Sequence, residues 1–170
     1  IDKDGKIKPA STPRIRKTDN QMEFVVVFAE DSATGKDIFI TEADIENLKR
    51  AKGAIYSAVA TLVKHMDMKF SQIEKVFIAG GFGTYLDVDK AIDIGLLPDL
   101  DRSRFIFIGN SALAGARTIL LSYEALKKAE EIARQITYFE LSIDSSYMDE
   151  YIAALFFPHT NLSNFPSVRY

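Results

Sequence analysis

Cysteine is absent from this chain of 170 residues, and histidine occurs only twice, as His65 and His159. The absence of cysteine excludes disulfides, zinc–thiolate sites and an iron–sulfur cluster held by this chain. Neither histidine has a metal-ligand companion at helical spacing, so packing or surface roles are favoured over chemistry for both. The sequence therefore predicts no metal site.

Long apolar runs and an excess of positive charge are also absent. No apolar run approaches the roughly 20 residues that a membrane span requires. With 21 basic and 24 acidic residues, the net charge of −3 gives no electrostatic footprint for nucleic acid. The first residue is isoleucine, and no signal-like segment begins the sequence. We therefore expect a cytoplasmic protein that binds neither membranes nor nucleic acid, and we expect the chain to be a piece of a longer one.

Catalytic motifs are lacking as well. The sequence contains no Ser-His-Asp arrangement, no GxxxxGKS phosphate loop and no paired carboxylates. Asp87, Asp89 and Asp93 suggest a metal cluster by composition alone. Their spacing instead predicts a helix cap at Asp87 and an exposed helical stripe for the other two. We therefore predict no catalytic residue in this chain.

The most informative stretch that is present is an apolar run, residues 76–79, that stops in three glycines within four residues. A continuously apolar run is typical of a strand covered on both faces, as in parallel sheets. Ligands of open α/β sheets bind just beyond the carboxyl ends of such strands. The turn formed by Gly80, Gly81, Phe82 and Gly83 is therefore a candidate ligand-binding turn.

The same pattern of strand, glycine turn and helix recurs about thirty residues later, which is the spacing of a βαβ unit. Residues 105–108 are apolar and are followed by Gly109, Asn110, Ser111 and a helix of small residues, 112–121. Since such crossovers are right-handed, both glycine turns are expected at the same sheet edge. Asn110 and Ser111 either bind a polar or anionic group at the helix amino terminus or simply cap the helix.

The amino-terminal third is expected to contain a connecting segment, a hairpin and a long helix. Residues 1–20 are polar and are predicted to form an exposed connecting segment. Residues 24–28 and 37–40 read as two strands of a hairpin. Thr41 is expected to cap a helix that continues to about residue 68. From Ile45, the apolar positions 48, 51, 55, 59, 62 and 66 mark one face of this helix, and Gly53 indicates close packing or space for a ligand.

The carboxy-terminal part is expected to add two helices and a strand. Residues 124–135 form an amphipathic helix with Leu126, Ala129, Ile132 and Ala133 facing inward. Residues 137–141 alternate like a half-buried strand, and Asp144 caps a last helix. The main lobe is expected to span residues 21–158. Residues 159–170 form a tail in which Phe165 lies against a surface, together with Phe156 and Phe157.

Several segments together resemble the carboxy-terminal part of the reductive activators of corrinoid-dependent enzymes. The resemblance is carried by residues 76–87 (VFIAGGFGTYLD), 91–98 (AIDIGLLP), 108–111 (IGNS) and 115–117 (GAR). Further matching segments lie upstream and downstream and extend the resemblance over roughly residues 9–158: 45–55 with AKGAI, 138–141, 148–150 and 154–158.

The resemblance implies an α/β fold, the ribonuclease-H-like or actin-like ATPase lobe shared by acetate and sugar kinases, heat-shock chaperones and actin (ASKHA). A mixed sheet flanked by helices is expected. By resemblance, Gly80, Gly81, Phe82 and Gly83 correspond to the adenosine motif. Residues 109–115 correspond to the second connecting helix between two subdomains, and Asn110 and Ser111 join the expected cofactor-binding set.

Members of that family carry a ferredoxin-like iron–sulfur domain upstream and couple ATP hydrolysis to the return of cob(II)alamin to cob(I)alamin. This chain lacks the cluster cysteines and any clear Asp-x-Gly phosphate loop. The resemblance thus implies half of an ATPase, inactive by itself, with ATP and magnesium shared with another lobe. A [2Fe–2S] cluster is expected only in the upstream domain. The implied partner is a corrinoid protein or a corrinoid-dependent methyltransferase, with a homodimer as a further expectation.

Two alternatives stay open from the sequence. The first is another member of the same superfamily, such as a sugar kinase or an acyl-CoA dehydratase activator. The second is a non-catalytic lobe that dimerises or docks the corrinoid protein. Exposure of four aromatic side chains, Tyr147, Tyr151, Phe156 and Phe165, would support the second alternative.

Overall fold

The computed structural model describes residues 1–10, 12–18, 21–81 and 83–169. Its first part is a three-stranded antiparallel sheet in the order β1-β2-β3. The strands are β1 (Ile15–Lys17), β2 (Met22–Val27) and β3 (Ile38–Thr41). Phe24 of β2 pairs with Ile15 on one side and Ile40 on the other. The predicted hairpin is therefore confirmed.

A long helix, α1 (Glu42–His65), follows β3 directly. Thr41 and Asp44 form the predicted capping box: the Asp44 amide donates to the Thr41 hydroxyl at 3.1 Å, and the Thr41 amide donates to the Asp44 carboxylate at 2.9 Å. This reciprocal pairing satisfies amides that the first helical turn leaves without partners. The register of α1 is thus fixed at its start.

The second half of the chain contains a parallel strand pair and four helices among the described residues. The pair consists of β4 (Val76–Ala79) and β5 (Phe105–Gly109), connected through α2 (Val88–Asp93). Three helices follow β5: α3 (Ser111–Leu121), α4 (Tyr123–Gln135) and α5 (Ser145–Ala154). No helix in the described ranges is long and apolar enough to span a bilayer.

The main core lies where α1 and α5 meet α2, β5 and the tail. Its buried members are Tyr56, Ile92, Leu100, Phe105, Ala154 and Phe165. Gly53 lets α1 approach α5 closely, because a Cβ atom there would lie 3.4 Å from the Ala154 carbonyl oxygen and from the Tyr151 ring. The close packing expected at Gly53 is therefore confirmed.

The expectation that residues 1–20 are an exposed connecting segment needs correction. Ile7 is buried in a second cluster with Ile45 and Phe157, and the Phe157 amide donates to the Lys3 carbonyl at 3.0 Å. Part of the segment also forms β1. The polar composition of the segment gave no sign that Ile7 is buried or that residues 15–17 form an edge strand. Part of the segment therefore packs against the rest of the chain.

The predicted inward faces are the main errors. Strand β4 is covered on one side only, and the Phe77 side chain on the other side is 59% exposed. Helix α4 packs on α3, but the side chains predicted to face inward on it are exposed or only half-buried. The apolar stripe of α1 is exposed at positions 48, 51, 55, 59, 62 and 66. An apolar stripe identifies a face that needs a partner, and these partners are absent from the described chain.

Two predictions about the carboxy-terminal part have opposite outcomes. Residues 137–141 form no strand, because no neighbouring strand pairs with them among the described residues. The packing predicted for the tail is confirmed, since Phe157 is 8% and Phe165 1% exposed. The exposure of Phe165 that would have supported the docking-lobe alternative is therefore absent, and Tyr147, Tyr151 and Phe156 are only half-exposed.

Candidate functional site

The two glycine turns meet at the carboxyl edge of the β4–β5 pair, as predicted. The Gly80 amide donates to the Gly109 carbonyl at 2.7 Å, and Ala79 is in register with Gly109. A register shift between Ile78 and Ala79 accompanies this junction. One hydrogen bond thus joins the two glycine turns just beyond the ends of the strands.

The glycines of this edge do not all serve the same purpose. Gly80 and Gly109 have φ angles of +96° and +64°, a region that side chains with a Cβ atom rarely adopt. A Cβ atom added at Gly80, Gly81 or Gly109 would meet no described heavy atom within 4 Å. At Gly83, by contrast, it would lie 2.8 Å from Ile78 Cγ2. The first three glycines therefore leave open space, and Gly83 is needed for packing of the turn on β4.

Asn110 and Ser111 lie at the start of α3. The Asn110 side-chain oxygen accepts a hydrogen bond from the Leu113 amide at 3.0 Å, so Asn110 caps the helix. Ser111 is the first residue of α3 and is exposed. Amides of a first helical turn have no partners within the helix and attract polar or anionic groups. Capping by Asn110 is thus observed, and ligand binding by Asn110 and Ser111 stays a prediction, as it does for Gly80, Gly81 and Gly83. Phe82 lies outside the described residues.

The acidic residues near this edge are engaged elsewhere. Asp87 caps α2 by accepting from the Lys90 amide at 3.1 Å. Asp89 pairs with Arg102 at 2.8 Å, and Asp93 pairs with Lys90 at 3.2 Å. Among the described residues, no group of three or more histidine, aspartate or glutamate side chains is placed to hold a metal ion. The three carboxylates that follow the first glycine turn therefore cap a helix or pair with basic side chains.

The two histidines join separate segments to α5. His65, near the end of α1, forms an ion pair with Asp144, which caps α5 by accepting from the Ser146 and Tyr147 amides. The hydrogen bond from the Ser146 hydroxyl, followed by that of His65, lowers the pKa of Asp144 to about 2. His159 is buried and lies 3.1 Å from a Glu150 carboxylate oxygen. The packing roles expected for both histidines agree with these contacts.

Sequence reasoning missed one buried charge. Lys52 on α1 is fully buried, and its ammonium group donates to the Phe156 carbonyl and, at 2.6 Å, to the Pro158 carbonyl. Burial, with a smaller contribution from the charge of Lys49, lowers the pKa of Lys52 to about 7. No pattern in the sequence signals this burial, because the accepting groups are backbone carbonyls more than a hundred residues away.

Comparison with known proteins gives one concordant answer. The family model described as the C-terminal domain of RACo, the ASKHA domain, matches residues 1–169. A solved reductive activator for corrinoid, iron-sulfur protein superposes with a TM-score of 0.91 at 50% identity, covering 99% of this chain and 27% of that chain.

Two curated relatives agree with the family match. The corrinoid activation enzyme RamQ of Eubacterium limosum is 39% identical over 78% of this chain and 22% of its own length. The [Co(II) methylated amine-specific corrinoid protein] reductase of Methanosarcina barkeri is 34% identical over 66% of this chain and 21% of its own length. This chain thus spans about a fifth to a quarter of the proteins that it matches, and its architecture is that of an actin-like ATPase lobe. It belongs to the family of the C-terminal ASKHA domain of RACo.

Proposed function

We propose that this chain is the carboxy-terminal nucleotide-binding lobe of an ATP-dependent reductive activator, which returns the cob(II)alamin of a corrinoid protein to cob(I)alamin. The observation that carries the proposal is the pair of hydrogen-bonded glycine turns with open space beside them, in a chain of this family. The relatives named as a corrinoid activation enzyme and a Co(II) corrinoid protein reductase support the same activity.

Adenosine is the part of ATP that suits this edge. The Gly80, Gly81 and Gly109 backbones offer an uncharged surface that no Cβ atom obstructs, and a planar ring system can approach such a surface closely. Phe82, Gly83, Asn110 and Ser111 complete the proposed binding set. Hydrolysis of bound ATP would supply the free energy for an unfavourable electron transfer.

Phosphates and magnesium are assigned to the rest of the full-length protein. Magnesium prefers carboxylate and phosphate oxygens, and the described acids nearest in sequence to the turns cap or pair with other residues. The electron donor, a [2Fe–2S] cluster, is likewise assigned to another domain, because this chain has no cysteine to ligate it. The role of this chain is therefore to bind and orient the nucleoside.

The proposed partner is a corrinoid protein or a corrinoid-dependent methyltransferase in the cytoplasm, with a homodimer as a further assembly. No specific observation favours a sugar kinase or an acyl-CoA dehydratase activator. The alternative of a purely docking lobe loses its expected support, because Phe165 is buried.

The experiment is a valine substitution at Gly81 in the full-length protein. A Cβ atom at Gly81 would have no described heavy atom within 4 Å, so Gly81→Val adds three carbons at an open position beside the proposed adenosine contact. ATP affinity measured by calorimetry is expected to fall at least about tenfold, equivalent to about 1.4 kcal/mol, while the melting temperature stays unchanged. Ala33→Val, at an exposed position in the β2–β3 loop, is the matched control. Unchanged affinity of Gly81→Val would refute the adenosine assignment.

A further inference from the structure

Helix α1 leaves a stripe of apolar side chains exposed, although its buried side contains polar side chains. The side facing α5 and the core buries Lys52, Ser57 and Thr61, together with Tyr56. The adjoining side is apolar and exposed, with accessible fractions of 45% for Leu48, 50% for Ile55, 37% for Val59, 43% for Leu62 and 70% for Met66. A helix of a complete domain turns its apolar stripe to the core. The exposed stripe of α1, residues 48–66, therefore needs a covering partner.

The amino-terminal end of this stripe opens into an apolar groove. The groove has a volume of about 590 Å³ and lies between α1 and the three-stranded sheet. Leu48 of the stripe lines it, together with Phe24 and Ile40 of the sheet and Ile1 at the start of the chain. Residues that precede Ile1 in a longer polypeptide would thus emerge directly at the groove.

We propose that the α1 stripe is covered by the preceding part of the same polypeptide. The match is to a C-terminal domain, and the structural relative that this chain matches over 99% of its length is almost four times longer. A preceding segment is tethered at the groove, so it reaches the stripe at a high effective concentration, unlike a separate molecule. The inference does not depend on nucleotide binding.

Methionine oxidation in the wild-type full-length protein tests the proposal without any substitution. Met66 lies on the stripe, and Met148 on α5 lies outside it and is 55% exposed in this chain. Oxidation by peroxide follows exposure. Measured by mass spectrometry, Met66 is expected to oxidise several-fold more slowly than Met148. This protection is expected to be independent of protein concentration and of added corrinoid protein.

A charge placed on the stripe gives a second, independent readout. Leu48→Asp in the full-length protein is expected to lower the melting temperature by several degrees, because the carboxylate would be buried at the covered groove. Asn47→Asp, one residue earlier on an exposed position of the same helical turn, is the control and is expected to cause no loss.

Three outcomes would overturn the proposal. Oxidation of Met66 as fast as that of free methionine in the same sample, or equal stability of the two aspartate variants, would show that the stripe is uncovered in the full-length protein. Protection of Met66 that grows with protein concentration would assign the stripe to a second copy. Protection only after addition of the corrinoid protein would assign it to that partner.

Discussion

Because the side chain of Lys52 is buried, we expect the free energy of unfolding of this chain to change with pH above about 7. The two carbonyl acceptors of Lys52 hold the turn after α5, and the Phe157 ring centroid lies 5.4 Å from the ammonium nitrogen. In the unfolded chain the group has its ordinary pKa of 10.5, and in the folded chain burial lowers the pKa to about 7. The unfolded state therefore binds more protons between these two values, and the free energy of unfolding rises with pH in this window.

The size of the effect follows from the two pKa values. At 1.36 kcal/mol per pH unit, the interval between 10.5 and about 7 corresponds to about 5 kcal/mol. This figure is an upper bound, because hydrogen bonds to the Phe156 and Pro158 carbonyls favour the charged form. Below about pH 7 both states are protonated and the dependence disappears.

Lys52→Met removes the titrating group and keeps the length of the side chain. The variant leaves two buried carbonyls without their donor, at a cost of about 1–3 kcal/mol each that does not change with pH. Urea unfolding followed by far-ultraviolet circular dichroism, at several pH values from about 7 to 10, gives the free energy of unfolding of both proteins. The stability of the wild type relative to the variant is expected to rise over this range. A constant difference would refute the assignment of a lowered pKa to Lys52.

Two further substitutions test the packing around this region. Gly95→Ala is expected to lower the free energy of unfolding by several kcal/mol, since Gly95 has a φ of +75° and its Cβ would lie 2.1 Å from the Pro158 carbonyl oxygen. Gly80→Ala, with open space, should cost only the backbone strain of about 1–2 kcal/mol, and equal losses in urea unfolding would contradict this reasoning. Thr61→Val is expected to raise the free energy of unfolding by about 1 kcal/mol, because the buried Thr61 hydroxyl has no partner among the described residues. A loss of stability would show that this hydroxyl is satisfied by a bound water.

Local features of the fold could be predicted from the sequence because their causes are local. Thr41, Asp87, Asn110 and Asp144 cap helices as predicted, since each cap is set by residues within one turn. The two glycine turns share an edge because β4 and β5 are parallel, so that the carboxyl ends of both strands lie on the same side of the sheet. Such signals do not need the rest of the protein.

The faces that each element buries could not be predicted, because burial depends on a partner. The sequence marks the α1 stripe as one apolar face, yet no element among the described residues covers that face. Residues 137–141 alternate like a strand but have no neighbour to pair with in the described chain. Lys52 was missed for the opposite reason, since its partners are backbone carbonyls that no side-chain pattern reveals.

The open space at the glycine turns and the exposure of the α1 stripe would both follow from the absence of one contact, that with the preceding polypeptide. A parallel strand pair is normally buried on both faces, but here Phe77 is exposed on one face. A nucleotide at Gly80, Gly81 and Gly109 would contact this chain on one side only and would keep its phosphates in water. If the preceding polypeptide covers the stripe and this open face, the same contact would place a second surface beside the nucleotide. Nucleotide binding and the completion of the fold would then be linked, because each depends on the same contact between lobes.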